Sequence, residues 1–131
     1  LHTNWWDGEV DYPVAAFRTA IESRDVDAAV ALFGPDVVFH SPVVHKPYVG
    51  IDALRMILTG VMQVFTDFRY ATEYGGPDGH VLEFACRVGG RELQGVDILR
   101  GNGGELTELT VLVRPYSAAT ALREQMAALL A

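Results

Sequence analysis

The spacing of hydrophobic positions changes character twice along the chain. From Val14 to Phe33 it follows helical faces, from Phe68 to Arg114 it falls into extended runs broken by glycine turns, and from Ala118 it becomes helical again. Asp11-Tyr12-Pro13 is a helix-start signal, and Val14, Phe17, Ala20 and Ile21 follow on one face. Asp25 can cap a second helix with a buried stripe of Val26, Ala29, Val30 and Phe33, which Gly34-Pro35 ends. Val37 to His40 is β-branched and aromatic and stops at Pro42, so it reads as a short strand leading into a loop through Pro47 to Gly50. Leu54, Ile57, Leu58, Val61 and Phe65 share one side of a helix spanning roughly 52–65.

The extended runs are Phe68–Tyr74, His80–Val88, Arg91–Arg100 and Glu105–Arg114. Each separator contains turn residues that accept left-handed backbone, and Gly89-Gly90 suits a two-residue hairpin, so the four strands form an antiparallel meander. Pro115 closes it. Ser117 can cap a last helix running through Leu122, Met126, Leu129 and Leu130. Helices grouped against an antiparallel sheet make an α+β layer fold, and a sheet that curls encloses a cavity between itself and the helices.

A chain of 131 residues, half of them hydrophobic, is expected to be a single domain with a real core, residues 1–12 forming an N-terminal arm. In that arm, Trp5 and Trp6 need a surface to cover and are expected to cap a groove or meet a partner subunit. The net charge of −7 repels phosphate backbones and anionic lipid, so neither nucleic acid nor membrane is an expected partner. No apolar stretch approaches the ~20 residues of a membrane span. One cysteine, Cys86, forms no internal disulfide, so a cytoplasmic location is expected. No charged-then-apolar leader precedes the first helix, although the chain starts at Leu1 without methionine.

Asp97 lies in a strand among Val96, Ile98 and Leu99. Two readings stay open: a carboxyl group kept neutral by a dry pocket and donating to a ligand oxygen, or a carboxylate paired with Arg87, Arg91 or Arg100. His40, Ser41 and His45 form a second polar group. His40 is the type of side chain that serves as a base near neutral pH, yet adjacent strand residues face opposite ways, so His40 and Ser41 enter one pocket together only at a bulge. Two histidines without a carboxylate supply too few ligands for a metal, and none is expected. Ser41 lies in no Gly-x-Ser-x-Gly elbow. Cys86 reads as core packing. Tyr48, Tyr70 and Tyr74 read as rim or sheet packing, with hydroxyls that can also serve a ligand. The glycine turns do not open helices and cradle no phosphate, so no cofactor is implied.

The stretch Ala31-Leu32-Phe33, then Pro42-Val43, then Gly50, together with Val96-Asp97-Ile98-Leu99-Arg100, resembles the ketosteroid isomerases and SnoaL-like polyketide cyclases of the nuclear transport factor 2-like (NTF2-like) superfamily. The resemblance implies a cone-shaped, curved antiparallel sheet with helices on its concave face, a cystatin-like α+β barrel. It also implies a pocket lined by Phe17, Ile57, Leu58, Val61, Leu82, Phe84, Val111 and Val113, with Tyr48 beside them. In the isomerases an aspartate before the proline is the base, a tyrosine on the first helix donates to the oxyanion, and a protonated aspartate on a later strand donates beside it. Here those positions carry Ser41, Phe17 and Asp97. A serine is no base near pH 7 and phenylalanine cannot donate, so that isomerisation mechanism is not expected intact.

The expectation is therefore a domain binding a small hydrophobic molecule, with Asp97 as acid and His40 or Ser41 as its polar counterpart. It would act as an isomerase, cyclase or hydrolase. The alternative is a non-catalytic interaction module. Both faces of the strand from Glu105 are partly apolar, which predicts a homodimer through the sheet.

Overall fold

The computed structural model describes Val10 and residues 12–130. Trp5 and Trp6 lie outside the described residues. The first helix, α1 (Val14–Glu22), follows Pro13 directly and buries Val14, Phe17, Ala20 and Ile21, the face expected from their spacing. The short α2 (Val26–Val30) is capped by Asp25, whose carboxylate accepts from the Ala28 N–H at 3.0 Å.

Phe33 departs from the helical stripe. It opens β1 (Phe33–His40), because Pro35 disfavours helical backbone at Gly34, Phe33 pairs with Leu106 on a later strand, and the Leu32 carbonyl accepts from the Leu106 N–H at 2.9 Å. Its ring still reaches the core, edge-on to Phe17 at 5.9 Å between centroids. The loop expected after Pro42 contains a two-residue strand, β2 (Tyr48–Val49), which pairs antiparallel with β1 and leads into α3 (Ile51–Val64).

The four extended runs form β3 (Thr66–Gly76), β4 (Gly79–Val88), β5 (Arg91–Asn102) and β6 (Glu105–Arg114), an antiparallel meander as expected. Gly89 and Gly90 make the β4–β5 turn with φ of 55° and 78°, the left-handed pair that a tight hairpin of this twist requires. β1 joins the free edge of β6 in parallel, with a bulge between Phe33 and Val38, so the sheet order is β2-β1-β6-β5-β4-β3. The sheet is curved and unclosed. A final helix, α4 (Tyr116–Leu130), returns across β4, β5 and β6 and meets α3.

Period-two burial sets the two faces of the sheet. Val37 and Phe39, Leu82, Phe84, Cys86 and Val88, Leu93, Asp97 and Leu99, and Leu109 and Val111 are buried. Leu54, Ile57 and Leu58 of α3 and Ala118 and Leu122 of α4 are buried with them in one core. The alternate residues Val81, Val96, Ile98, Thr110 and Leu112 are half-buried or exposed on the other face. Asp97 is the one charged residue type in the buried set of the described residues, at 8% exposure.

Candidate functional site

A cavity of about 600 Å³ lies between the sheet and the helices. α1 contributes Phe17 and Ile21, α3 Ile57, Leu58, Val61 and Met62, and α4 Leu122 and Met126. The sheet contributes Phe39, Phe68, Phe84, Asp97, Leu109 and Val111, and the β1–β2 connection contributes Ser41 to Val44 with Tyr48. The wall is thus mostly hydrocarbon and aromatic, with few polar atoms, the composition of small-molecule sites.

Asp97 reaches this wall by strand parity. It pairs with Leu82 on β4 and Val111 on β6, and it forms no ion pair with Arg87, Arg91 or Arg100, which the charge-pairing reading required. Arg100 turns to Glu108 on the other face at 3.5 Å, and Arg87 donates to the Gly90 carbonyl at 2.6 Å. No cation lies within ion-pair distance of Asp97 among the described residues. Burial without a counter-charge disfavours the carboxylate and raises the pKa of Asp97 to about 7, against the opposing pull of a hydrogen bond from Tyr70.

That hydrogen bond is short: the Tyr70 hydroxyl donates to Asp97 Oδ2 at 2.6 Å. Tyr70 pairs with Phe84 on β4, and Phe84 pairs with Gly95 on β5. A Cβ at position 95 would stand 2.5 Å from the Phe84 ring, so the glycine provides the space in which that ring lies. Tyr70 stands edge-on to Phe84 at 6.4 Å, which carries its hydroxyl past β4 to Asp97. Arg18 covers the Tyr70 ring at 5.5 Å and is itself tied to Glu22 and Glu73. With Oδ2 occupied, Oδ1 has no hydrogen-bond partner among the described residues, and a proton there is available to a molecule in the cavity.

Ser41 also lines the cavity, with its Oγ accepting from the N–H groups of Val43 at 3.1 Å and Val44 at 3.2 Å. Its lone pairs are used locally, so what it offers a ligand is its proton, and it has no general base to activate it as a nucleophile. His40 is turned away. Its Nε2 contacts Glu108 Oε2 at 2.7 Å on the opposite face, which corrects its expected role beside Ser41. No bulge follows Val38 within β1, so parity separates the two side chains. His45 is exposed and lines no part of the cavity.

Of the expected lining, Phe17, Tyr48, Ile57, Leu58, Val61, Phe84 and Val111 are in place. Leu82 and Val113 are not: Leu82 is wholly buried in the core, and Val113 packs half-buried against it, so both support the wall from outside the cavity. Tyr70 was legible as a sheet tyrosine but not as the partner of Asp97, since its reach depends on Gly95 two strands away. The α4 contribution was foreshadowed by the spacing of Leu122 and Met126. Cys86 is buried on the inner face, and burial pushes its thiol up to about 12, which suits packing rather than nucleophilic chemistry. Among the described residues no three His, Cys, Asp or Glu side chains cluster as metal ligands. No described helix is long and apolar enough to cross a membrane.

The SnoaL-like domain family matches residues 14–109, which hold both Ser41 and Asp97. The chain belongs to the SnoaL-like family. Among solved structures, this SnoaL-like domain is similar to a steroid delta-isomerase from Pseudomonas aeruginosa, with 37% identity over 93% of this chain and 96% of the other and a TM-score of 0.85. It is similar to a bacterial protein with a cystatin-like fold from Silicibacter pomeroyi, with 35% identity over 89% and 84% of the two chains and a TM-score of 0.84. An epoxide hydrolase/cyclase-like enzyme of pyran ring formation in the polyether salinomycin shares the fold, with 18% identity over 80% and 89% of the chains and a TM-score of 0.67. No functionally curated protein matches the SnoaL-like chain in sequence.

Proposed function

We propose that this SnoaL-like domain binds a small, largely apolar molecule carrying an oxygen and acts on it as an isomerase, cyclase or epoxide-opening hydrolase, with neutral Asp97 as the acid. The observation that carries the reading is the Tyr70–Asp97 hydrogen bond at the wall of an apolar cavity, with no cation at the carboxyl. Such a carboxyl group, with its pKa raised to about 7, is still substantially protonated near neutrality and in that form donates from Oδ1 to a ligand oxygen. As a carbonyl gains enolate character, or as the C–O bond of an epoxide breaks, negative charge grows on that oxygen and the Asp97 proton offsets it. Ser41 supplies a second donor.

The likeness to a steroid delta-isomerase at 37% identity supports chemistry on a rigid oxygenated hydrocarbon. Ser41 stands where the isomerases' base would be, so the site has no second carboxylate for proton abstraction from carbon, and Asp97 acts in it as the acid alone. Asp97→Asn tests the acid role. Across a panel of unsaturated ketosteroids and apolar epoxides, the variant should lose on the order of 10²-fold in kcat/KM on whichever class turns over. Undiminished turnover would remove Asp97 from the chemistry.

The partly apolar outer face of the sheet, where Leu112 is 54% exposed, favours a homodimer formed through that face. A binding module built on the same face is the alternative reading, and binding without turnover on the panel would favour it.

A further inference from the structure

The rim of the cavity differs in charge from the rest of the molecule. Four charged residues line the cavity while being exposed, so they stand at its mouth: Glu22, Arg24, Asp67 and Arg123. Glu22 is paired with Arg18 at 3.3 Å, an arginine it shares with Glu73. Arg24 and Arg123 have no carboxylate partner among the described residues. The lining thus sets two guanidinium groups against the carboxylates of Glu22 and Asp67, of which Glu22 is already engaged by Arg18. In a chain of net charge −7 this opening is therefore close to neutral and carries two guanidinium groups without a carboxylate partner.

The placement of Arg24 is costly. It is the left-handed residue that ends α1, with φ of 57°, flanked by hydrogen bonds from the Arg24 N–H to the Ile21 carbonyl at 3.0 Å and from the Asp25 N–H to the Ala20 carbonyl at 2.9 Å. Glycine occupies such a position without strain, whereas a side chain there costs roughly 1 kcal/mol. The arginine instead lays its guanidinium across to the Met62 carbonyl on α3, at the cavity edge. One N–H group is used there, and the planar fork keeps others for an oxyanion.

We infer that the molecule this cavity takes is an apolar oxyanion, whose anionic group is held at the mouth by Arg24 and Arg123 while its hydrocarbon body extends inward past Ile57, Val61 and Met126 to Asp97. The inference rests on the ligand-binding reading above and adds the charge of the ligand. Carboxylate and phosphate share the recognising chemistry.

Isothermal titration with dodecanoate, dodecyl phosphate, dodecanol and dodecyltrimethylammonium, all below micellar concentration, tests it on the wild-type chain, Arg123→Gln and Arg24→Gly. The glycine variant relieves backbone strain and so keeps the fold. Dodecanoate should bind roughly tenfold more tightly than dodecanol, and each arginine variant should weaken dodecanoate by roughly threefold or more while leaving dodecanol unchanged. The preference should shrink as salt rises from about 20 to about 300 mM. Tighter binding of dodecyl phosphate than of dodecanoate keeps the inference and assigns the head group as phosphate. If dodecanol matches the anions, or the ammonium compound binds best, the inference is overturned and the ligand-binding reading stands. If none of the probes binds, both fall.

Discussion

Tyr70 and Asp97 lie on strands that are not neighbours, yet the tyrosine hydroxyl donates to Asp97 Oδ2 at 2.6 Å across the intervening strand β4. The bond stabilises the carboxylate form, so it restrains the rise that burial imposes on Asp97. In Tyr70→Phe that restraint is gone. The pKa of Asp97 should climb above its value of about 7 by about one unit or more, read by carbon NMR of the carboxyl or by the alkaline limb of the rate profile. An unmoved titration would mean that the hydroxyl does not bind the carboxyl in solution.

Asp97 also ties stability to pH. Its folded pKa is raised from 3.8 to about 7, so the native state holds its proton more tightly than the unfolded chain does. The associated stability is present in full below about pH 4 and is lost progressively as pH rises through 7, because the unfolded carboxyl ionises freely first. The shift corresponds to at most about 4 kcal/mol. Asp97→Asn has no such penalty. Its stability relative to wild type should improve by about 2 kcal/mol between pH 5 and pH 8 in urea unfolding. A constant difference between the two proteins across that range would contradict a buried neutral carboxyl.

The architecture was legible because local signals agreed. Gly89-Gly90 and the other turns delimited the meander, and the Asp25 cap and the Leu54–Ile57–Leu58 stripe placed the helices they were expected to place. Phe33 misled because its spacing fits a helix face while its own pairing with Leu106, and the extended backbone that Pro35 favours at Gly34, draw it into a strand. The site was legible at Asp97, an acid within an apolar strand, and at Ser41, but strand parity had to choose between His40 and Ser41. Tyr70 and Arg24 were hidden because their placement depends on long-range geometry: the space at Gly95, and the reach of Arg24 from the end of α1 to the Met62 carbonyl on α3. Leu82 and Val113 show the converse case, being apolar and on the inner face of the sheet but outside the cavity, Leu82 fully buried in the core and Val113 half-buried against it.

Ser41 and His40 are adjacent in sequence and opposite in consequence. Ser41→Ala removes a donor from the cavity and the acceptor for two backbone N–H groups, so it should lower ligand affinity and cost about 1 kcal/mol of stability. His40→Ala breaks a contact with Glu108 on the far face, where a partly exposed pair contributes about 1 kcal/mol or less, and should leave affinity for an apolar probe unchanged. Titration of both variants with one fluorescent apolar probe checks the contrast. A larger loss of affinity in His40→Ala than in Ser41→Ala would reverse the facing of β1.

The outer face of the sheet carries the last prediction. Leu112 pairs with Val96, and Ile98 pairs with Val81 and Thr110, which sets an apolar centre across β4, β5 and β6. Around it stand Glu83, His40, Glu108 and Arg100, a polar rim. An apolar centre with a charged border is the anatomy of a subunit interface, and a two-fold axis through such a patch would bury Leu112 against its copy. Leu112→Glu would then place two like charges together in a desolvated centre. Sedimentation velocity at micromolar concentration should show wild type as a dimer and Leu112→Glu shifted to monomer by roughly tenfold or more in dissociation constant, with the far-ultraviolet spectrum unchanged. A wild-type chain that sediments as a monomer would leave this face to some other partner.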